Sequence, residues 1–121
     1  MLAVAVGLAA AFGAVLRYLV DQAVSRRRSG TFPAGTWLIN ISGSFLLGLL
    51  AGLATRHGLS ASAVAIVGTG VCGGYTTFST FSFESVRLME EGAGLGALAN
   101  LAGSVAAGLA AAAVGLGLGL L

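Results

Sequence analysis

Charge is confined to ten positions along this chain: Arg17, Asp21, Arg26, Arg27, Arg28, Arg56, Glu84, Arg87, Glu90 and Glu91. Between them lie four uncharged stretches, residues 1–16, 29–55, 57–83 and 92–121. A helix that crosses a bilayer needs roughly 20 mainly apolar residues. The last three stretches supply that length unaided, and the first does so if Arg17 snorkels to the headgroups from the membrane boundary. The pattern therefore predicts four spans, over about residues 2–24, 33–54, 61–89 and 93–121, in one transmembrane domain. Pro33 suits the start of the second helix, where its missing N–H has no partner to lose, and Ser60 suits the N-cap of the third. The links are short, so successive helices run antiparallel in a bundle.

Composition sharpens this reading. Hydrophobic residues make up 57% of the 121 and charged residues 8%, against about 25% charged in a soluble domain. A water-soluble fold this small could not hide so much apolar surface, and the surrounding solvent is lipid. The net charge of +2 is too slight and dispersed for a nucleic-acid face. One cysteine, Cys72, excludes an intrachain disulfide, and one histidine, His57, makes no metal site alone. The first segment lacks the basic start of a signal peptide and is read as the first helix. Arginines favour one side: Arg26, Arg27, Arg28 and Arg87 flank the first and third links, and Arg56 alone marks the second. The positive-inside tendency places the first and third links in the cytoplasm and both termini outside.

Twenty glycines would weaken a soluble helical protein, but in lipid small residues let helix backbones approach closely. Gly48 and Gly52 form such a pair in the second helix, and Gly103, Ala107 and Ala111 form a small stripe in the fourth. Against this background the buried polar residues stand out. Thr36, Asn40 and Ser44 share one face of the second helix at four-residue spacing. They make either interhelical hydrogen bonds or a ladder of donors along a path. Asn100, Ser104 and Gly108 repeat the spacing in the fourth helix, which shifts the balance towards a path.

The third helix carries the densest signal, Gly73-Gly74-Tyr75-Thr76-Thr77-Phe78-Ser79-Thr80-Phe81-Ser82-Phe83-Glu84. Two glycines followed by two β-branched threonines disfavour a continuous helix, so a break is expected near residues 73–77. Broken backbone at membrane depth survives only if buried in protein, lining water or coordinating an ion. Beyond it, Phe78, Phe81, Ser82 and Ser85 share a face. Amide and hydroxyl donors beside phenyl rings, whose edges are electropositive, permit an anion path without a formal positive charge to trap the ion. The hydroxyls alone would equally suit water or a cation.

These residues resemble the Fluc (CrcB) fluoride channels over essentially the whole length. The matching motifs are Gly13-Ala14-x-x-Arg17-Tyr18, then Gly35-Thr36-x-x-x-Asn40-x-x-Gly43-x-Phe45-x-x-Gly48, and Gly73-Gly74-x-Thr76-Thr77-Phe78-Ser79-Thr80-Phe81-Ser82-x-Glu84. Ala9 and Ala10 depart from the pattern, standing where the family often has a glycine pair. The resemblance implies an all-α integral membrane protein of four helices, broken in the third, forming an antiparallel dual-topology dimer in the cell's inner (plasma) membrane. It implies passive, fluoride-selective export through two pores. By position, Phe78 and Phe81 resemble the ring pair facing the ion, Asn40 the pore asparagine, and Thr80, Ser82 and Ser104 the hydroxyl track. Gly73 and Thr76 match residues whose backbone carbonyls hold a structural Na+ on the dimer axis. Arg17 and Glu84 match vestibule positions. From the residues alone, Arg17 pairing with Asp21 and Glu84 marking a helix end are the plainer alternatives.

Fluoride, lipid and a second copy in opposite orientation are the partners implied. The arginine bias also suits a pair of homologous chains, each of fixed orientation. A proton-coupled multidrug exporter of similar build would need a carboxylate at mid-membrane, whereas Asp21 and Glu84 fall near predicted helix ends. No nucleophile–base pair or metal cluster suggests an enzyme.

Overall fold

The computed structural model describes all 121 residues. Helix α1 spans Leu2–Arg27, α2 Ala34–His57, α3 residues 61–75, α4 Phe78–Glu90 and α5 Gly94–Gly119. Residues 61–90 form one broken membrane-crossing unit, so the chain has four spans of sufficient length and hydropathy. Helix α1 continues past the predicted limit through Arg26 and Arg27, because basic side chains are favourable at a helix C-terminus and the preceding turn carries no breaker. Pro33 caps α2 and lies just outside it. Gly58, in the left-handed region at φ 65°, ends the helix, a conformation that costs glycine little. Ser60 caps α3 as expected, its Oγ accepting from the Ala63 N–H.

The bundle is inverted relative to a soluble one. Large apolar side chains such as Leu8, Phe12, Leu98 and Leu109 point outwards, while Thr36, Ser85 and Asn100 are buried. Two backbone-to-backbone seams hold the helices together. Along α2 and α5, Gly48 lies against the Ala112 carbonyl, Gly52 against Leu116 and Gly119, and Gly115 against the Phe45 carbonyl. The α5 stripe that meets α2 is thus Ala112, Gly115 and Gly119; Gly103, expected in this role from spacing, faces the Trp37 indole. Along α1 and α3, Gly13 meets Val71 and Tyr75, Gly70 meets Ala9, and Gly74 meets the Ala10 backbone. Ala9 and Ala10, which depart from the family's glycine pair, are small enough for this contact.

Most of α3 is wound as a π-helix over Ala65–Cys72, a wider coil that is uncommon and often accompanies functional sites. The turn Gly73–Tyr75 is helical again. The break comes one step later than the glycines suggest, at Thr76 (ψ 160°) and Thr77 (φ −148°, ψ 123°). Gly74 is therefore a packing feature, and the two β-branched threonines, which favour extended backbone, carry the interruption.

The seams give a direct test. Placing an isopropyl group in the seam with Gly115→Val drives carbon into the Phe45 carbonyl, and should destabilise the protein by about 1–3 kcal/mol, the usual range for overpacking. Gly7, which has nothing near its α-carbon, should accept alanine with no loss. Equilibrium unfolding in mixed micelles compares the two.

Candidate functional site

At the break the backbone leaves the helical ladder, and the N–H and carbonyl of both Thr76 and Thr77 find defined partners. The Thr76 N–H still donates to the Cys72 carbonyl at 2.9 Å, and the Thr76 hydroxyl donates to the same oxygen at 2.9 Å. Arg17 Nη1 donates to the Thr76 carbonyl at 3.2 Å. Asn40 meets both groups of Thr77: its Nδ2 donates to the Thr77 carbonyl at 2.9 Å, and its Oδ1 accepts the Thr77 N–H at 2.9 Å. Thr77 then caps α4, its Oγ1 accepting from the Thr80 N–H at 3.3 Å. An N-cap hydroxyl of this kind stabilises a helix by about 1 kcal/mol.

Arg17 is thereby committed to the break. It makes no ion pair with Asp21; the single ion pair in the chain joins Arg87 and Glu91 at 3.8 Å.

Two cavities flank Thr77. One, of about 230 Å3, is an open groove lined by Asn40, Ser44, Leu47, Thr76, Thr77, Phe78 and Phe81. The Phe78 and Phe81 rings border it with centroids 6.0 Å apart at 44°. Phe78 is 79% exposed, so its ring is not packing inside this chain. The other cavity, of about 240 Å3, holds Arg17, Tyr18, Asp21, Thr36, Thr77 and Thr80. The motif residues therefore divide. Asn40, Phe78 and Phe81 come together on one side of the break, and Arg17 and Thr80 on the other.

Ser82, Ser85 and Ser104 are held by bonds within and between helices. Ser82 Oγ donates to the Phe78 carbonyl at 2.9 Å, and Ser85 Oγ donates to the Phe81 carbonyl at 2.8 Å. Asn100 is 0% exposed; its Nδ2 donates to Ser85 Oγ at 2.9 Å, and Ser104 Oγ donates to its Oδ1 at 3.4 Å. Of the two roles open to a polar helix face, Asn100 takes the first, a clasp between α4 and α5. Ser104 lies beside this clasp and outside the phenyl-lined groove of this chain. Ser44, whose Oγ donates to the Asn40 carbonyl at 2.8 Å, does line the groove.

Glu84 lies midway along α4, in the last part of the Ala61–Glu90 crossing unit, on the side of the first link. It opens on a polar cavity of about 400 Å3 shared with Asp21, Arg28 and Arg87, and its buried Oε2 has no hydrogen-bond partner. No cluster of three or more acidic, histidine or cysteine side chains is placed to hold a metal ion.

The sequence pattern of the family described as CrcB-like protein, camphor resistance, matches residues 4–116, a stretch that contains the break and everything that contacts it. The chain belongs to the CrcB-like family. A protein of Frankia casuarinae named fluoride-specific ion channel FluC 1 is 51% identical over 114 residues, covering 90% of this chain and 88% of its own. A Streptomyces avermitilis protein of the same name is 50% identical over 104 residues, covering 86% and 84%. Fluoride-specific ion channel FluC 2 of Mycobacterium tuberculosis is 50% identical over 112 residues, covering 93% and 86%.

Sequence reasoning missed Thr77, the residue to which both Asn40 bonds are directed. The available signal was a threonine immediately ahead of the Phe78 helix, the residue type of an N-cap. It also missed that Ser85 and Asn100 pair. For this CrcB-like chain, Asn100→Ala should cost about 0.6–2 kcal/mol of stability, the range for an interhelical hydrogen bond in a membrane. Combined with Ser85→Ala the loss should fall short of the sum of the single losses, as shared partners require. A double-mutant cycle by unfolding in mixed micelles measures the shortfall, and strict additivity would show that the two groups are uncoupled.

Proposed function

We propose that this chain is a fluoride-selective, passive ion channel of the cell's inner (plasma) membrane, and not an enzyme. The observation that carries the reading is the groove at the break, where Phe78 and Phe81 flank the Asn40 carboxamide with no cationic side chain among the lining residues. A small anion entering it exchanges water for N–H donors and ring edges. Each contact is modest, which suits an ion that must leave as readily as it enters. The names borne by the relatives point to the same ion.

The groove also supports assembly with a second chain, a copy of this one or a homologue, in antiparallel orientation. Phe78, Ser79 and Thr80 are exposed midway along a membrane-crossing unit. Hydroxyls there are poorly matched to acyl chains. A facing subunit would cover them and close the open side of the groove, and Ser82 and Ser104 would belong to the track only through that assembly. Arg17 and Glu84, in polar cavities that share Asp21, are assigned to the vestibule.

A structural Na+ fits the break by its donor set. The Thr77 N–H donates to Asn40 and so releases the Gly73 carbonyl from its helical donor four residues on, and the Thr76 carbonyl keeps one lone pair beside the bond from Arg17. Carbonyl oxygens are the ligands a hard cation takes. Gly73 and Thr76 would hold the ion together with the same pair from a second chain; bound there, it would neutralise carbonyl dipoles that lipid cannot.

Phe78→Ile and Phe81→Ile should each abolish fluoride efflux from proteoliposomes, read with a fluoride electrode against chloride as control, while leaving assembly intact. Unchanged efflux would make the rings packing residues. Exchanging Na+ for a bulky organic cation during purification should shift the assembled species towards monomer in single-molecule photobleaching, and an unchanged distribution would remove the ion from the break.

A further inference from the structure

The Asn40 carboxamide does more than line the groove, because both of its polar atoms answer to a single residue. Thr77 is extended at φ −148° and ψ 123°. In that conformation a residue's own N–H and C=O point to the same side, as they do towards the partner strand in an antiparallel pair. Asn40 takes the place of that partner, with Nδ2 to the carbonyl at 2.9 Å and Oδ1 from the N–H at 2.9 Å. The assignment of nitrogen and oxygen is forced, since a backbone N–H only donates and a backbone carbonyl only accepts. A flipped amide would set N–H against N–H and oxygen against oxygen.

We infer that the Thr77 backbone locks the Asn40 side chain in the orientation that offers the groove an amide N–H. The inference rests on the proposed conduction. A carboxamide is ambivalent, with two donors and one acceptor, and a freely rotating one would greet a cation as readily as an anion. Here one lone pair of Oδ1 and one amide hydrogen are engaged by Thr77, which holds the oxygen against the backbone. The amide hydrogen anti to Oδ1 is the one left, on a half-buried residue that lines the groove beside Ser44, Phe78 and Phe81. The same two bonds that pair the Thr77 backbone at the break thus orient an amide donor for an anionic ligand. Asn40 becomes a specificity-determining donor, and Thr77 acts through it as a positioning residue. The side chain of Thr77 caps α4, so the lock is in the backbone, and a substitution of the side chain alone would leave it in place.

The chain has only two asparagines, Asn40 and Asn100, so 15N-asparagine labelling gives two side-chain signals, separated by comparison with Asn100→Ala. In the reconstituted full-length protein, the two Asn40 amide protons should be distinct. One should be unmoved by fluoride and the other should shift as fluoride, but not chloride, is titrated. Replacing Thr77 with its α-hydroxy acid through nonsense suppression deletes the N–H and keeps the side chain. That ester should lower fluoride efflux by about tenfold or more, the loss expected for one hydrogen bond to a charged group, and should merge or weaken the distinction between the two protons.

Two fluoride-insensitive protons in a protein that conducts fluoride would overturn the inference and leave the channel reading standing. Undiminished efflux and unchanged spectra in the ester would overturn it as well. Absence of fluoride efflux from the unmodified protein would instead bring down the channel reading, and this inference with it.

Discussion

The cost of an unpaired backbone group in hydrocarbon governs this molecule. Each such group is worth several kcal/mol, more than any single packing contact here, and a helix broken at membrane depth releases several at once. The break at Thr76 and Thr77 persists because Arg17 and Asn40 reach it from two other helices and Thr77 caps α4 on its far side. These polar residues are therefore structural before they are anything else. The donors still free once the backbone is satisfied define the surface that an ion can meet.

The glycine seams make that reach feasible. Asn40 and Arg17 have short and long side chains respectively, and both must arrive at adjacent residues of one extended segment. Gly43 lies against Thr76, and Gly13 and Gly74 bring α1 against α3. A bulkier residue at these positions would push α1 or α2 away, and hydrogen bonds of about 3 Å do not survive a displacement of an ångström or more. Close backbone packing and break stabilisation are thus one constraint, seen from the helix flanks and from the helix end.

Much of this architecture is legible in residue order. The spacing of ten charges places four spans, and the run from Gly73 to Phe81 locates an interruption, because both depend on local chemistry. The break's true position is not legible to the residue: Gly73 and Gly74 are poor helix formers in isolation, but packing against Ala10 keeps at least Gly74 in the helix. Nor can spacing separate the two polar faces. Thr36-Asn40-Ser44 and Asn100-Ser104-Gly108 share one period, yet Asn40 borders a groove and Asn100 is sealed against Ser85. That difference depends on which helix stands opposite, and one helix's sequence does not carry it.

The placement of Arg17 bears on how such a site manages an anion at all. At an effective dielectric of about 20, a unit charge in contact at 4 Å attracts an anion by roughly 4 kcal/mol, and one at 8 Å by roughly 2 kcal/mol. The first is a well an ion leaves slowly; the second lowers the entry cost without becoming a binding site. Arg17 is held on the Thr76 carbonyl and lines the cavity on the far side of Thr77 from the phenyl rings. Its charge is thereby kept within the field of the groove but out of ligand contact, and part of it is answered by the carbonyl it binds. Neutral donors then make the direct contacts, where each is worth little enough to exchange for water. In the proposed channel, an arginine whose first task is to mend a broken helix also sets the background potential against which those weak ligands suffice.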